Sequence, residues 1–362
     1  MADLKYWVAF NQIAEVGPVK FHKLLATFGD LSLAWSANLP ELMSAGLSEK
    51  EATNIIIGRS GIDPEAELEK LEKAKIQIVA LAEPDYPANL KEIPNAPPLL
   101  FYRGSISCLS KSCLAVVGAR KHTAYGQAAA EKIVAPLAAA GITIVSGLAL
   151  GIDAIAHAAA LAAGGLTAAV LGSDLDWQHI GPRTNLKLAE KILENSGCLL
   201  SEYGLGTEAN RQTFPQRNRI ISGLSRGTLI IEAGESSGSL ITANYAIEQN
   251  RDLFAVPDSI FSPYSAGANN LIKRGAKPVT EANDIIADWL CLETLKLSKN
   301  EILASADEEE KNILDQLSFE PVHLDKLAEI TNTKIYILSG KLMMMELKGL
   351  VKSIDGGKYM RL

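Results

Sequence analysis

Apolar and polar positions change their rhythm twice along this chain. Residues 4–60 carry short apolar helical faces broken by Gly, Pro and Ser, which predicts short helices with turn punctuation. From residue 112 short β-branched runs alternate with alanine-rich helical stretches. The runs are Leu114–Val117, Ile142–Val145, Thr167–Leu171, Cys198–Ser201, Thr228–Ile231 and Leu253–Val256. Such alternation predicts a parallel sheet with helices on both faces, ending near Leu290. The tail returns to helices, one from residue 309, a second at Leu324–Thr331 and a third at Lys334–Lys348. Strands around Asp355, Gly356 and Gly357 follow, and the combination predicts a winged helix.

These rhythms divide the chain into a helical domain at 1–82, an α/β core at 83–290, a linker at 291–308 and a winged-helix domain at 309–362. The core is led by a proline-rich stretch at 83–104 that reads as an ordered, extended connection. In the first domain, Ile13–Leu25 sets the Gly17-Pro18 turn between two apolar helical faces, with an echo at Leu42–Leu47. A helix-hairpin-helix, whose backbone amides meet phosphate, has this look, but a plain helical bundle that uses glycine to turn is favoured over it. In the tail, six Lys or Arg stand against two acids between Lys334 and Arg361. Duplex binding through the third helix and docking of a protein on Lys341, Met343, Met344 and Met345 both stay open.

Composition narrows the classes. At 362 residues, with 48% hydrophobic and 21% charged, the chain has room for two or three ordinary globular domains. No apolar run is long enough to cross a bilayer, and the start, MADLKYWVAF, lacks the layout of a secretory signal. Cys108, Cys113, Cys198 and Cys291 are far apart in sequence, which argues against zinc and against a disulfide framework. A reducing cytoplasm is the expected compartment. The net charge of -7 argues against coating duplex DNA indiscriminately. Against that balance, residues 211–226 hold four arginines (Arg211, Arg217, Arg219 and Arg226) and no acid, with Phe214 and Asn218 among them. Guanidinium forks beside a planar ring suit a nucleic-acid strand, whose phosphates take the forks and whose bases stack on the ring.

Ligands of open α/β sheets bind beyond the carboxyl ends of the strands, so the loops there carry the chemistry. The first strand ends Gly118-Ala119-Arg120, where a dinucleotide fingerprint would continue with glycine. A fixed positive charge in that place disfavours NAD and suits a phosphate. No P-loop motif occurs. Asp153 and His157, at i and i+4, could pass for an acid/base pair, but no nucleophile accompanies them and pinning the helix is the favoured role. Arg183 and Asn185 precede a helix after the third strand and can face the same ligand as Arg120. Ser237-Gly238-Ser239 opens another helix with small residues, an expected nest of N–H donors for an anion.

Together these segments resemble the DNA-processing protein A family (DprA, also called Smf). The matching pieces are Gly118-Ala119-Arg120, the Ser146–His157 stretch, Phe214–Leu224 with its Arg217-Asn218-Arg219, Ser237–Thr242 and Gly267–Ile272. They span about Asp85 to Asp284, with similar modules at both ends. The resemblance implies a Rossmann-like core flanked by a SAM- or helix-hairpin-helix-like module and a winged helix. It implies a non-enzymatic protein without cofactor that binds single-stranded DNA, protects incoming DNA and helps load RecA recombinase in natural transformation. DNA would be held by Gly118, Arg120, Arg183, Asn185, Arg211, Phe214, Arg217, Asn218, Arg219 and Ser237–Ser239. A homodimer would form around Leu271, Ile272 and Lys273. The family's Tyr-Pro before the basic residue of the third loop is replaced here by Trp177–Pro182, which puts the reach of Arg183 in question. A nucleotide-processing enzyme related to phosphoribohydrolases is the alternative, weakened because Glu232 and Glu235 precede the small-residue turn rather than follow it. A sequence-specific regulator acting through the tail is a third reading, and the tail's near-balanced charge speaks against it.

Overall fold

The computed structural model describes residues 3–13, 15–289, 308–317, 322–331, 333–347, 351–354 and 357–361. The expected linker up to residue 307, Cys291, Lys348 and the Asp355-Gly356 turn lie outside them. The chain forms two compact units that part after Asp284.

The first unit opens with helices α1 (Leu4–Asn11), α2 (Pro18–Phe28), α3 (Leu31–Ser36), α4 (Leu39–Ser44), α5 (Glu49–Arg59) and α6 (Pro64–Lys73). Local chemistry sets their ends: Pro18 occupies the first turn of α2, and capping boxes Asn38/Glu41 and Ser48/Glu51 start α4 and α5. Strand β1 (Gln77–Ala80), α7 (Ala88–Lys91) and β2 (Leu99–Gly104) follow. Then come β3 (Cys113–Val117), α8 (Ala124–Ala139), β4 (Thr143–Ser146), α9 (Ile152–Ala162), β5 (Thr167–Val170), α10 (Leu186–Glu194) and β6 (Cys198–Ser201). The unit closes with α11 (Thr213–Leu224), β7 (Gly227–Ile230), α12 (Ser239–Glu248), β8 (Asp252–Ala255), α13 (Ala266–Lys273) and β9 (Lys277–Pro278).

The nine strands make one sheet in the order β1-β2-β6-β5-β4-β3-β7-β8-β9, parallel from β6 to β9, with β1 and β2 antiparallel at one edge. Successive residues of the central strands feed different cores. Ala168 and Val170 of β5 join Ile220 and Leu224 of α11, whereas Ala169 and Leu171 join Phe10 and Leu24 of the helical bundle. Both faces are therefore apolar, which is why these strands read as continuous hydrophobic runs.

Two expectations shift. The N-terminal helices are not a separate domain ending at 82. They share a hydrophobic cluster with the sheet, and Asn11 is clamped to the loop after β6, donating to the Glu202 carbonyl at 3.1 Å and accepting from the Gly204 amide at 3.1 Å. The proline-rich stretch is more than a connection, since it ends in β2, paired with β6 at Phe101↔Ser201. The fold also brings Cys108 and Cys198 to 3.3 Å between sulfur atoms, although they are distant in sequence.

The second unit holds α14 (Glu308–Asp315), β10 (Val322–His323), α15 (Leu324–Ile330), α16 (Ile335–Leu347), β11 (Val351–Ile354) and β12 (Lys358–Arg361), with the sheet order β10-β12-β11. Leu327, Leu338, Leu342, Met345 and Val351 form its core. This is the winged helix. Among the described residues no helix is long and apolar enough to cross a membrane.

His157 on α9 is fully buried, with Nδ1 2.6 Å from Thr167 Oγ1. That hydroxyl donates to the Ile144 carbonyl, so the imidazole donates through Nδ1 and leaves Nε2 without a partner. Burial first, then the Arg217 charge, holds its pKa at about 3. The unfolded chain takes up a proton here below about 6.5 that the folded chain refuses until about 3. Stability is thus complete above 6.5 and falls as pH drops through that window, by at most about 1.4 kcal/mol per pH unit. The urea midpoint should fall between pH 7 and pH 5, and fall less in His157→Asn, which cannot titrate. An identical pH dependence in both proteins would reject this assignment.

Candidate functional site

Chain direction locates the site before any side chain does. From β3 the sheet grows through β4, β5 and β6 on one side, and the chain then crosses to β7 on the other. The loops leaving β3 and β7 diverge, and the crevice between them is where ligands of open α/β sheets bind. A cavity of about 790 Å³ opens there. Its walls are the Gly118–Lys121 loop after β3, the Gly234–Thr242 segment running into α12, the first turns of α11, and Pro263 and Tyr264. The loop after β3 is fixed from two directions, since the Ala119 amide donates to the Glu232 carbonyl at 2.7 Å and its carbonyl accepts from Ile152 at 3.2 Å.

The arginines of 211–226 have separate fates. Arg217 is 4% exposed and lies beneath the cavity, where Nη1 donates to the Gly147 carbonyl at 2.8 Å and to the Val170 carbonyl, bridging the ends of β4 and β5. A methyl on Gly147 would stand 2.6 Å from this guanidinium, so only glycine lets it through. Asp153, also buried, accepts from the Gly147 amide at 3.1 Å and supplies the compensating charge. Burial pulls Arg217 to about 10 and pushes the Asp153 carboxyl up, and each charge opposes the other's shift. Arg217 is thus a girder rather than the expected free phosphate fork. Arg219 also departs from expectation, because Glu202 holds it in a bidentate pair at 2.7 and 2.6 Å. Arg211 alone of these three is exposed at the cavity.

Arg120 is exposed, and its guanidinium carbon lies 5.4 Å from the centre of the Phe214 ring. No carboxylate among the described residues pairs with it. Lys121 adds a further exposed cation beside it, legible in the sequence as its neighbour but not singled out there. Asn218 links the walls, accepting from Arg217 Nε at 3.2 Å and reaching the Gly238 carbonyl at 3.5 Å. Gly118 packs against Ile152 with no room for a side chain.

The turn before α12 is less open than an anion nest. The amides of Ser237, Leu240 and Ile241 donate within the turn, and Ser239 donates to Ser237 Oγ at 3.4 Å. Gly238 keeps an amide with no acceptor among the described residues, flanked by the Ser237 and Ser239 hydroxyls 2.8 Å apart.

Arg183 and Asn185 do not line the cavity. Arg183 donates to the Trp177 carbonyl at 2.9 Å, and Trp177 in turn packs its ring 5.5 Å from the Arg103 guanidinium. Asn185 is buried and donates to the carbonyls of Leu148 and Ala149, where it holds the loop after β4. Leu271 is 4% exposed inside the core, so a second copy cannot reach it; Ile272 is half-buried and Lys273 exposed. Glu232 is buried and its Oε2 accepts from the Thr123 amide at 2.9 Å, while Glu235 is exposed on the rim. Asp153 and His157 are both committed to holding α9 in place, as the sequence reading favoured.

Comparison with known proteins follows the same division of the chain. A family described as DNA recombination-mediator protein A matches residues 77–290, and a DprA winged helix domain matches residues 298–357. Protein Smf of Synechocystis is 35% identical, covering 99% of this chain and 99% of its own. The X-ray structure of DNA processing protein A from Streptococcus pneumoniae superposes with a TM-score of 0.70 at 36% identity, covering 79% of this chain and 98% of that one. DNA processing protein A from Helicobacter pylori, a structure concerned with its single-stranded DNA binding mode, gives a TM-score of 0.53 at 30% identity, over 59% of this chain and 96% of that one.

Removing the Arg217 guanidinium leaves two buried carbonyls without their donor, at a cost of about 1–3 kcal/mol each. Arg217→Ala should therefore lower the urea midpoint sharply, and Gly147→Ala should act in the same direction by displacing the guanidinium. Arg120→Ala, on an exposed loop, should stay within about 0.5 kcal/mol of the parent. Equal midpoints for Arg217→Ala and the parent would refute the girder.

Proposed function

The chain belongs to the DNA recombination-mediator protein A family, and from that membership and the geometry of its groove we propose that it binds single-stranded DNA without transforming it. The observation that carries the reading is the exposed Arg120 guanidinium stacked over the half-buried Phe214 ring, with Lys121 and Arg211 on the same cavity. Phosphates of the strand meet Arg120, Lys121, Arg211 and the Gly238 amide between its two serine hydroxyls. Asn218 steadies that turn, Gly118 lets the loop lie close, and a base stacks against Phe214. A duplex has no base free to do so, which gives the preference for single strands. Nucleotide chemistry gains no support, since Glu232 does not line the cavity and Asp153 is buried and accepts from the Gly147 amide.

The finer roles follow from the family. The bound strand is protected and passed to RecA recombinase during natural transformation, and two copies associate through the surface around Ile272 and Lys273. The winged helix leaves Ile337, Met343 and Met344 of α16 exposed, an adaptable apolar surface that suits a protein partner more than a phosphate backbone.

Oligo(dT) titrations at several salt concentrations test the groove. Loss of one phosphate contact should lower the slope of log K against log salt by about 0.7 for a single strand, so Arg120→Ala and Arg211→Ala should each weaken and flatten the dependence. Phe214→Ala should cost about 1–3 kcal/mol and narrow the gap between single strand and duplex. Unchanged affinity in both arginine variants would overturn the assignment.

A further inference from the structure

The loop between β8 and α13 is held firmly and yet turns its largest apolar side chains to water. Tyr125 donates its hydroxyl to the Pro257 carbonyl at 2.7 Å, and Asn269 donates to the Asp258 carbonyl at 3.0 Å. Ser265 Oγ lies 2.6 and 2.8 Å from the carbonyls of Ser259 and Ser262. The amides of Phe261 and Tyr264 are taken up by the hydroxyls of Ser259 and Ser262. On this frame Ile260 is 84% exposed, Phe261 90% and Tyr264 44%. Fully burying an aromatic ring of that size is worth about 1.5–3 kcal/mol, which a fixed loop forgoes unless something covers it. No charged residue occurs from Ser259 to Ile272, so whatever covers the loop meets no charge there.

Position decides the occupant. Pro263 and Tyr264 line the same cavity as Arg120, Arg211 and Phe214, with the Pro263 carbonyl packed against Gly234. The Tyr264 hydroxyl has no partner among the described residues, which leaves a half-exposed ring with one free polar edge at the cavity. A nucleobase has a matching apolar face and polar rim. We propose that residues 260–264 form a second base-contacting wall, with Tyr264 holding a base inside the groove and Phe261 taking the next one as the strand leaves over the rim. This rests on the single-strand reading above. It adds that the groove grips bases through the loop after β8 as well as through Phe214, so neutral contacts as well as phosphate contacts set its affinity.

The test uses the full chain with oligo(dT) and with an abasic strand of equal length. Stacking on one ring, at about 1–3 kcal/mol, corresponds to roughly five- to 150-fold in affinity. Phe261→Ala and Tyr264→Ala should each weaken oligo(dT) about tenfold, leave the salt slope unchanged and leave abasic binding nearly untouched. A strand bearing 5-iodouracil should crosslink under ultraviolet light to the peptide containing 257–264 as well as to that containing Phe214. If both variants bind oligo(dT) like the parent while Arg120→Ala does not, the second wall is wrong and the groove stands. If the variants instead shift sedimentation of the free protein without changing affinity, the loop is a contact between copies and the proposal falls. If the parent binds no single strand, the proposal falls together with the reading beneath it.

Discussion

A buried guanidinium between two strand ends is the constraint on which the groove depends. Arg217 takes the carbonyls of Gly147 and Val170, which lie where β4 and β5 run out of sheet partners. Backbone acceptors at such a place must be satisfied or solvated, and a charged donor satisfies both at once. Its own charge then needs an answer in the interior, which Asp153 gives from the first turn of α9. Through these contacts one side chain of α11 ties together the ends of two strands and the start of a helix. The exposed cations sit above a buried guanidinium held by two backbone carbonyls.

Much of this was legible in the chain. The six core strands fall within a residue or so of the β-branched runs, because parallel strands buried on both faces leave continuous apolar signatures. The antiparallel edge was not legible. Phe101 meets Ser201 across a hundred positions, and the prolines before β2 mask a strand as a connection. Among site residues, charge type could be read but availability could not. Arg183 and Arg219 carry the expected charge, yet the Trp177 carbonyl and the Glu202 carboxylate that engage them are matters of tertiary approach. Tyr264 left no motif at all, since its relevance comes only from the wall it faces.

The cluster at 211–226 therefore separates into different jobs done by one residue type. A guanidinium can brace carbonyls in the interior, lock a carboxylate in a fork, or wait at a surface for phosphate, and its planar array of donors serves all of these. Local sequence shows that arginine is required without showing which job it has. Burial decides, and burial is set by elements far away in the chain.

The clamp between Asn11 and the loop after β6 has a consequence for how the molecule comes apart. Asn11 uses both ends of its amide on Glu202 and Gly204, and the Glu202 side chain holds Arg219 two residues beyond the girder. The N-terminal helices are thereby wired to α11. Local opening of the groove wall at Glu202 therefore has to break contacts held by a bundle at the far end of the sequence.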